Sequence, residues 1–379
     1  MRRPFAEYLK APPENLFLFS KGRVALYALL KALGVGENDD VLMSGYTCVM
    51  VPSAAKYLGA NCRYVDINPS TFNLDPGKLD FLFTSRTKAV IVQHTYGITQ
   101  NMGPVLDWAC RHNLPIIEDS CHAFGSRWNG KLCGTFGVGA FFSGQWNKPF
   151  STGLGGMLLV NDENLLPEVK RLYQTALLPS MAAELRFWLQ IKAYNTLVRP
   201  QTNALMTRLY RLLSGLGLAA GSSDKEEFEG EMPPYYFQRM ARVQMKEGER
   251  NYNNIERLIE HRKAIAAIYS RDLPGLGFGT LKVDPECDNV ILRYPIRVAN
   301  KSELLKKAAF KGIELGSWFE IPLHPAGIDM ARFGYIKGMC PESEKACQEV
   351  VNLPTHGKVS LWTAERTLDF LMQFGKPLV

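Results

Sequence analysis

No apolar run in this chain approaches the roughly 18 residues that a membrane span needs, so a spanning helix is excluded. No two of the eight cysteines (48, 62, 110, 121, 133, 287, 340 and 347) stand at C-x-x-C spacing, which removes the zinc-ribbon and thioredoxin-like readings. Histidine is scarce and scattered, six in 379 residues, and no metal site is expected. No internal repeat is visible. Charge of one sign is not concentrated either: 44 basic against 37 acidic side chains leave +7, with bases mostly interspersed among acids. Nucleic acid is therefore not expected as a partner. Apolar residues at 46% and charged residues at 21% are ordinary globular proportions, which exclude disorder, collagen and coiled coil. The N-terminus is basic, but Glu7, Lys10 and prolines break any apolar stretch, so it reads poorly as a signal peptide. Cysteines lying in apolar runs read as reduced thiols, which points to the cytoplasm.

What is present is alternation. Val24–Leu33 has helical spacing of leucines, Val41–Met43 is a short strand, and Met50–Leu58 looks helical. Cys62–Ile67, Ala89–Gln93, Pro115–Asp119, Ala140–Ser143 and Met157–Val160 read as strands, and Val105–His112 as a helix. This pattern predicts a mostly parallel sheet with helices on both faces. Ligands of such sheets sit beyond the carboxyl ends of the strands, which directs attention to His94, Asp119, His122 and Ser143. Residues 1–245 are expected to form the large domain, with a basic helical insertion at about 180–220 and an exposed loop over 221–234. Arg239–Arg271 is expected as one long charged helix. It leads into a smaller α+β domain over 246–379, with strands in Asn289–Val298 and helices at Ser302–Lys311, Pro341–Val350 and Thr363–Phe374.

Three local features could carry chemistry. Ser20-Lys21-Gly22-Arg23 opens a helix, where free amides and two cations favour an anion, although an N-cap serine with two solvated bases explains it equally. Asp119 ends an apolar strand and can meet a cationic ligand atom or cap a helix; His122 can hold a ligand oxygen or be a satisfied core histidine. Lys148 stands among aromatics and glycines, away from any charge run. Burial would lower its pKa and suit it to Schiff-base chemistry, whereas a surface loop would make it ordinary. Together, an anion site, a strand-end carboxylate and an isolated lysine are what pyridoxal phosphate requires.

Several segments carry a family likeness: Gly22–Gly34, Thr71–Asp75, His94–Gly97, Ile116–Ser126, Phe142–Met157, Phe237–Met240, Ile321–Pro325 and Asn352–His356. In order and spacing they resemble the DegT–StrS group of sugar aminotransferases, fold-type I enzymes that use pyridoxal 5'-phosphate. The resemblance implies that Lys148 binds the cofactor aldehyde and shuttles the substrate proton, while Asp119 pairs with the pyridinium nitrogen. It places His122 at the ring hydroxyl, Ser143 on the phosphate side, and Gly22, Arg23 and Val24 at the helix-start phosphate site. It also implies a homodimer that transfers an amino group from an amino acid such as L-glutamate to a keto-sugar, expected to be nucleotide-linked.

The chain departs from the family pattern in places. Arg23 replaces a small hydroxyl residue, and Cys48 stands where an aromatic usually stacks on the ring, with Tyr46 nearby. Leu154 replaces the acid of a G-E-G-G run, and Phe237 and Gln238 stand near an asparagine that usually crosses the dimer. These changes keep open a non-catalytic or regulatory relative, while a sugar dehydratase of the same family is disfavoured by the retained Lys148. Gly156–Phe237 is longer than the family norm; Glu184–Leu218 fills much of it, and its bases and aromatics suit either an interfacial helix on an anionic membrane or a dimer-interface or covering helix pair broken at Pro200.

Overall fold

In the computed structural model, described for residues 1–146, 148–198, 206, 209–210, 212, 220–221 and 223–378, seven strands form one sheet. They are β1 (Leu16–Phe19), β2 (Asp40–Ser44), β3 (Asn61–Val65), β4 (Thr87–Gln93), β5 (Ile116–Asp119), β6 (Gly139–Gln145) and β7 (Leu154–Val160). Their order across the sheet is β1-β7-β6-β5-β4-β2-β3. Strands β2 to β6 are parallel; β7 pairs antiparallel with both β6 and β1. The mostly parallel sheet read from the sequence is thus present. β1 is an addition: its four apolar residues Leu-Phe-Leu-Phe are too few for periodicity to announce, and all four are buried.

The long helices bear on the site through their ends. α1 (Arg2–Tyr8) packs under the sheet edge, and α2 (Gly22–Ala32) buries Val24, Ala25, Leu26, Ala28, Leu29 and Leu30 against it. α3 (Met50–Lys56), α4 (Met102–Arg111) and α5 (Leu166–Thr175) complete the layers. α6 (Met181–Leu197) stops before Pro200, which lies, with most of the following basic segment, outside the described residues. The region read as an exposed loop, 221–234, contains a short helix, α7 (Lys225–Glu229), closed by a capping box between Asp224 and Glu227. The D-x-x-E spacing was its signal. The single long helix expected over 239–271 is two, α8 (Arg242–Tyr252) and α9 (Ile255–Asp272). Two consecutive asparagines, Asn253 and Asn254, form the joint, consistent with their poor helix propensity, and the turn lets Ile255 and Ile259 enter the core.

A second core closes the smaller α+β domain. Strand β8 (Arg293–Arg297) pairs antiparallel with β9 (Val350–Pro354), and α10 (Lys301–Lys311), α11 (Pro341–Glu349) and α12 (Leu361–Phe374) pack around them with α9. All eight cysteines are free thiols. Among the described residues, no helix is long and apolar enough to cross a membrane.

One carboxylate clasps the two halves. The first turn of α11 has no side-chain cap of its own. Asp66, just past β3, accepts the amides of Glu342 (3.0 Å) and Ser343 (2.9 Å) and the Ser343 hydroxyl (2.8 Å). Burial raises its pKa, but these donors win and hold it below the usual 3.8. We expect Asp66→Asn to destabilise the fold by about 2 kcal/mol at neutral pH, since an amide nitrogen would face donors. A depressed carboxylate contributes stability above its unfolded pKa and loses it as pH falls through the folded value. The difference in thermal midpoint between wild type and variant should therefore be full at pH 7 and shrink below about 3.8.

Candidate active site

Parallel pairing of β5 with β6, with Asp119 opposite Phe141, brings two sequence-distant segments to one end of the sheet. Asp119 is the last residue of β5. Its Oδ1 accepts the Cys121 amide at 3.0 Å in a tight turn, which fixes the carboxylate toward the cavity. Beyond β6 the chain makes a hairpin: the Lys148 amide donates to the Gln145 carbonyl (3.0 Å), and the Thr152 amide donates back to the Gly144 carbonyl (2.8 Å). This hairpin holds Lys148 over the same cavity.

The cavity wall includes Gly22, Arg23, Cys48, Asp119, His122, Ser143 and Lys148. Seven of the eight positions named from the sequence thus converge. Val24 does not: the helical turn carries its side chain into the core, and its amide donates to the Lys21 carbonyl (3.1 Å). His94 is also away from the cavity, its Nε2 3.1 Å from the buried Glu118 carboxylate.

The electrostatics are shaped by desolvation. Burial lowers the pKa of Lys148 below that of an ordinary lysine, and raises that of Asp119 above the ordinary carboxylate range. The two groups share the cavity without an ion pair within 4.0 Å. Burial, reinforced by the Lys148 and Arg293 charges, drives His122 well below 6.5, so its imidazole is neutral. Its Nδ1 accepts the Tyr96 amide at 3.3 Å, so the proton sits on Nε2, a donor.

The departures from the expected pattern have definite positions. Cys48 lines the cavity, but Tyr46 is turned away, hydroxyl to hydroxyl with Tyr96 at 2.7 Å and edge-on to Phe319. Phe141 lines the cavity, and Trp318 stands beside two of its wall residues, near-parallel to His122 (5.4 Å, 21°) and with the Lys148 Nζ 4.9 Å from its ring centroid. On the same indole lies the Arg293 guanidinium, 4.3 Å from the centroid. Neither Trp318 nor Arg293 was named from the sequence; the adjoining Ile321–Pro325 segment was the available signal. Gln93 and Gln145 are further wall residues that went unnamed. Arg23 reaches the wall with its guanidinium 2.7 Å from the buried Glu227 carboxylate, which also meets Lys21 at 3.3 Å. Leu154 adds an apolar wall, and Phe237 is half-buried, packed against Phe19 and Tyr27.

These residues fit pyridoxal phosphate. A Cβ on Gly22 would lie 3.1 Å from the Phe142 carbonyl oxygen and 3.3 Å from the Ser143 Cβ, tighter than ordinary packing, so glycine suits the close approach of the helix start to Ser143. A carboxylate disfavoured as an anion by burial is matched by a cationic ring nitrogen. A depressed amine is matched by an aldehyde.

The fold and this pocket define an aminotransferase that works with pyridoxal phosphate. Sequence comparison places the chain more narrowly: it belongs to the DegT/DnrJ/EryC1/StrS aminotransferase family, whose profile matches residues 2–371. It is 33% identical over 378 residues to a GDP-perosamine synthase of Caulobacter vibrioides, covering 98% of this chain and 88% of that one. It is 28% identical over 340 residues to a UDP-2-acetamido-2-deoxy-3-oxo-D-glucuronate aminotransferase of Pseudomonas aeruginosa, covering 89% and 80%. The pyridoxal-phosphate form of a sugar aminotransferase from Streptococcus pneumoniae superimposes with a TM-score of 0.73 at 19% identity, covering 98% and 88%.

Proposed function

We propose that this aminotransferase moves an amino group from an amino acid, L-glutamate, to the ketone of a nucleotide-linked keto-sugar in amino-sugar or polysaccharide biosynthesis. In this reading it acts as a cytoplasmic homodimer. The observation that carries the proposal is the placement of Lys148 and Asp119 on one cavity without an ion pair between them. The nucleotide-linked acceptor is supported by the UDP-linked 3-oxo sugar acid in the name of the Pseudomonas relative.

When bound, pyridoxal phosphate supplies an electron sink beside the amino nitrogen. Lys148, its amine made less basic by burial, anchors the group and takes or returns the proton at the reacting carbon. Asp119 holds a proton on the ring nitrogen through charge. His122 offers its Nε2–H to the ring oxygen. Gly22 and Ser143 would receive the phosphate, and Trp318 would hold the His122 ring in place by stacking on it. Leu154, Phe141 and Met50 exclude water from this end of the cavity, which strengthens each of these interactions.

Arg293 bears on the donor. Its guanidinium meets no carboxylate within 4.0 Å among the described residues, and it shares the Trp318 ring with Lys148. A cation so placed would receive the carboxylate of an amino-acid donor. We expect Arg293→Gln to raise KM for the donor by about 10- to 100-fold, with little change in KM for the sugar. Steady-state kinetics with the two substrates varied independently will check this. The reading as a whole is tested by following 2-oxoglutarate release with a panel of nucleotide-linked keto-sugars. Cofactor-loaded protein that releases none with any of them would overturn it.

A further inference from the structure

One buried cation takes no part in the chemistry of the cavity. Lys301, the first residue of α10, is 8% exposed, and among the described residues no carboxylate lies within 4.0 Å of its amine. An ammonium cut off from water must regain its lost hydrogen bonds inside the protein, so a buried lysine has partners. Here they are three carbonyl oxygens: Cys347 at 2.7 Å, Phe319 at 3.2 Å and Ser317 at 3.4 Å. Three donor hydrogens thus meet three acceptors. The Cys347 carbonyl lies in the last turn of α11, where carbonyls lack helical partners and a cation is favoured. That bond accounts for a helix cap and nothing more. The other two carbonyls belong to no helix, and they flank Trp318 on either side.

The same stretch is held from other directions. The Trp318 amide donates to Asn352 Oδ1 on β9 (2.9 Å), and the Tyr96 hydroxyl donates to the Trp318 carbonyl. Gly316 and Asn352 exchange both of their backbone hydrogen bonds, at 2.8 and 2.9 Å. Lys301 grips the two carbonyls next to Trp318 at once, so the backbone would have to break charge-assisted bonds to turn there. What the indole meets gives this its weight. The ring lies near-parallel to His122, 5.4 Å away, and carries the Lys148 amine at 4.9 Å and the Arg293 guanidinium at 4.3 Å. An imidazole, an amine and a guanidinium are registered on one ring, and that ring stands on clamped backbone.

We propose that Lys301 is a positioning residue: its ammonium clamps the Ser317 and Phe319 carbonyls and so sets the Trp318 ring against His122, Lys148 and Arg293. Its bearing on amino transfer rests on the function proposed above; the placement of the ring does not.

Histidine NMR of the full-length, cofactor-loaded protein tests the placement. A ring stacked on an indole is shielded by it, so the His122 signal, assigned by its loss in His122→Asn, reports where Trp318 stands. Trp318→Leu should move that signal downfield. Lys301→Met, which fills the space but donates to no carbonyl, should move it at least half as far. Lys301→Gln keeps two donor hydrogens and should give a smaller shift in the same direction; it carries the comparison should Lys301→Met not fold. Kinetics separate positioning from a general loss of stability. In single turnovers with L-glutamate, Trp318→Leu should slow conversion about tenfold, Lys301→Met about fivefold, and the double variant about tenfold rather than about fiftyfold. A His122 signal left in place by both Lys301 variants, or by Trp318→Leu itself, would overturn the proposal, and so would losses that multiply in the double variant. Protein that shows the shifts but converts no amino acid would support the clamp and overturn the proposed reaction instead.

Discussion

Replacing Lys148 by alanine should lower turnover by at least about 10⁴-fold and abolish fixation of the cofactor by borohydride. In the wild type the reduced cofactor should be recovered on the peptide that contains residue 148. The fold should survive. The Lys148 ammonium lies over the Trp318 ring, a cation–aromatic contact worth about 0.5–2 kcal/mol, and the variant also relieves the cost of burying an amine. A Lys148→Ala protein that keeps its far-ultraviolet spectrum and thermal midpoint but loses turnover would separate chemistry from folding. Substantial residual turnover would remove Lys148 from the reaction.

Asp119→Asn should reduce kcat by about 10³-fold while borohydride still fixes the cofactor on Lys148. The asparagine carbonyl can still accept the Cys121 amide, so the turn after β5 is retained. What is lost is the negative charge that keeps a proton on the ring nitrogen. The two variants therefore give different signatures: one loses attachment, the other keeps attachment and loses rate. An Asp119→Asn enzyme with wild-type kcat would show that the carboxylate only shapes the turn.

The sheet was legible because its middle strands are apolar runs bounded by turn residues, from Val41 to Asp119, and the candidate site was legible in part because Asp119 ends such a run and Lys148 stands apart from other charges. Neither residue meant much alone. Their convergence depends on the β5–β6 register, which no local pattern displays. Trp318 and Arg293 meet over one indole although 25 residues apart, and the segment Ile321–Pro325 beside Trp318 is the signal that either residue's surroundings carry. Asp66 and α11 are a further distant pairing: a helix capped from another part of the chain leaves no trace in the residues before it. Asn253–Asn254 and the Asp224–Glu227 box were local signals, outweighed in the reading by the surrounding charge. Arg23 shows a different gap. Its charge suggested a phosphate ligand, but the partner it has, Glu227, lies in a segment that reads as solvent-exposed loop and is in fact buried.

The stacked pair Trp146 and Tyr194 has a mechanical consequence. Trp146 stands two positions before the reactive amine, and Tyr194 belongs to a helix whose opposite flank points out of the protein. Lys358 fastens the end of that helix, donating to the Val198 carbonyl at 2.8 Å. Excising the helix would take away the ring that rests on Trp146 and uncover the strap that carries Lys148.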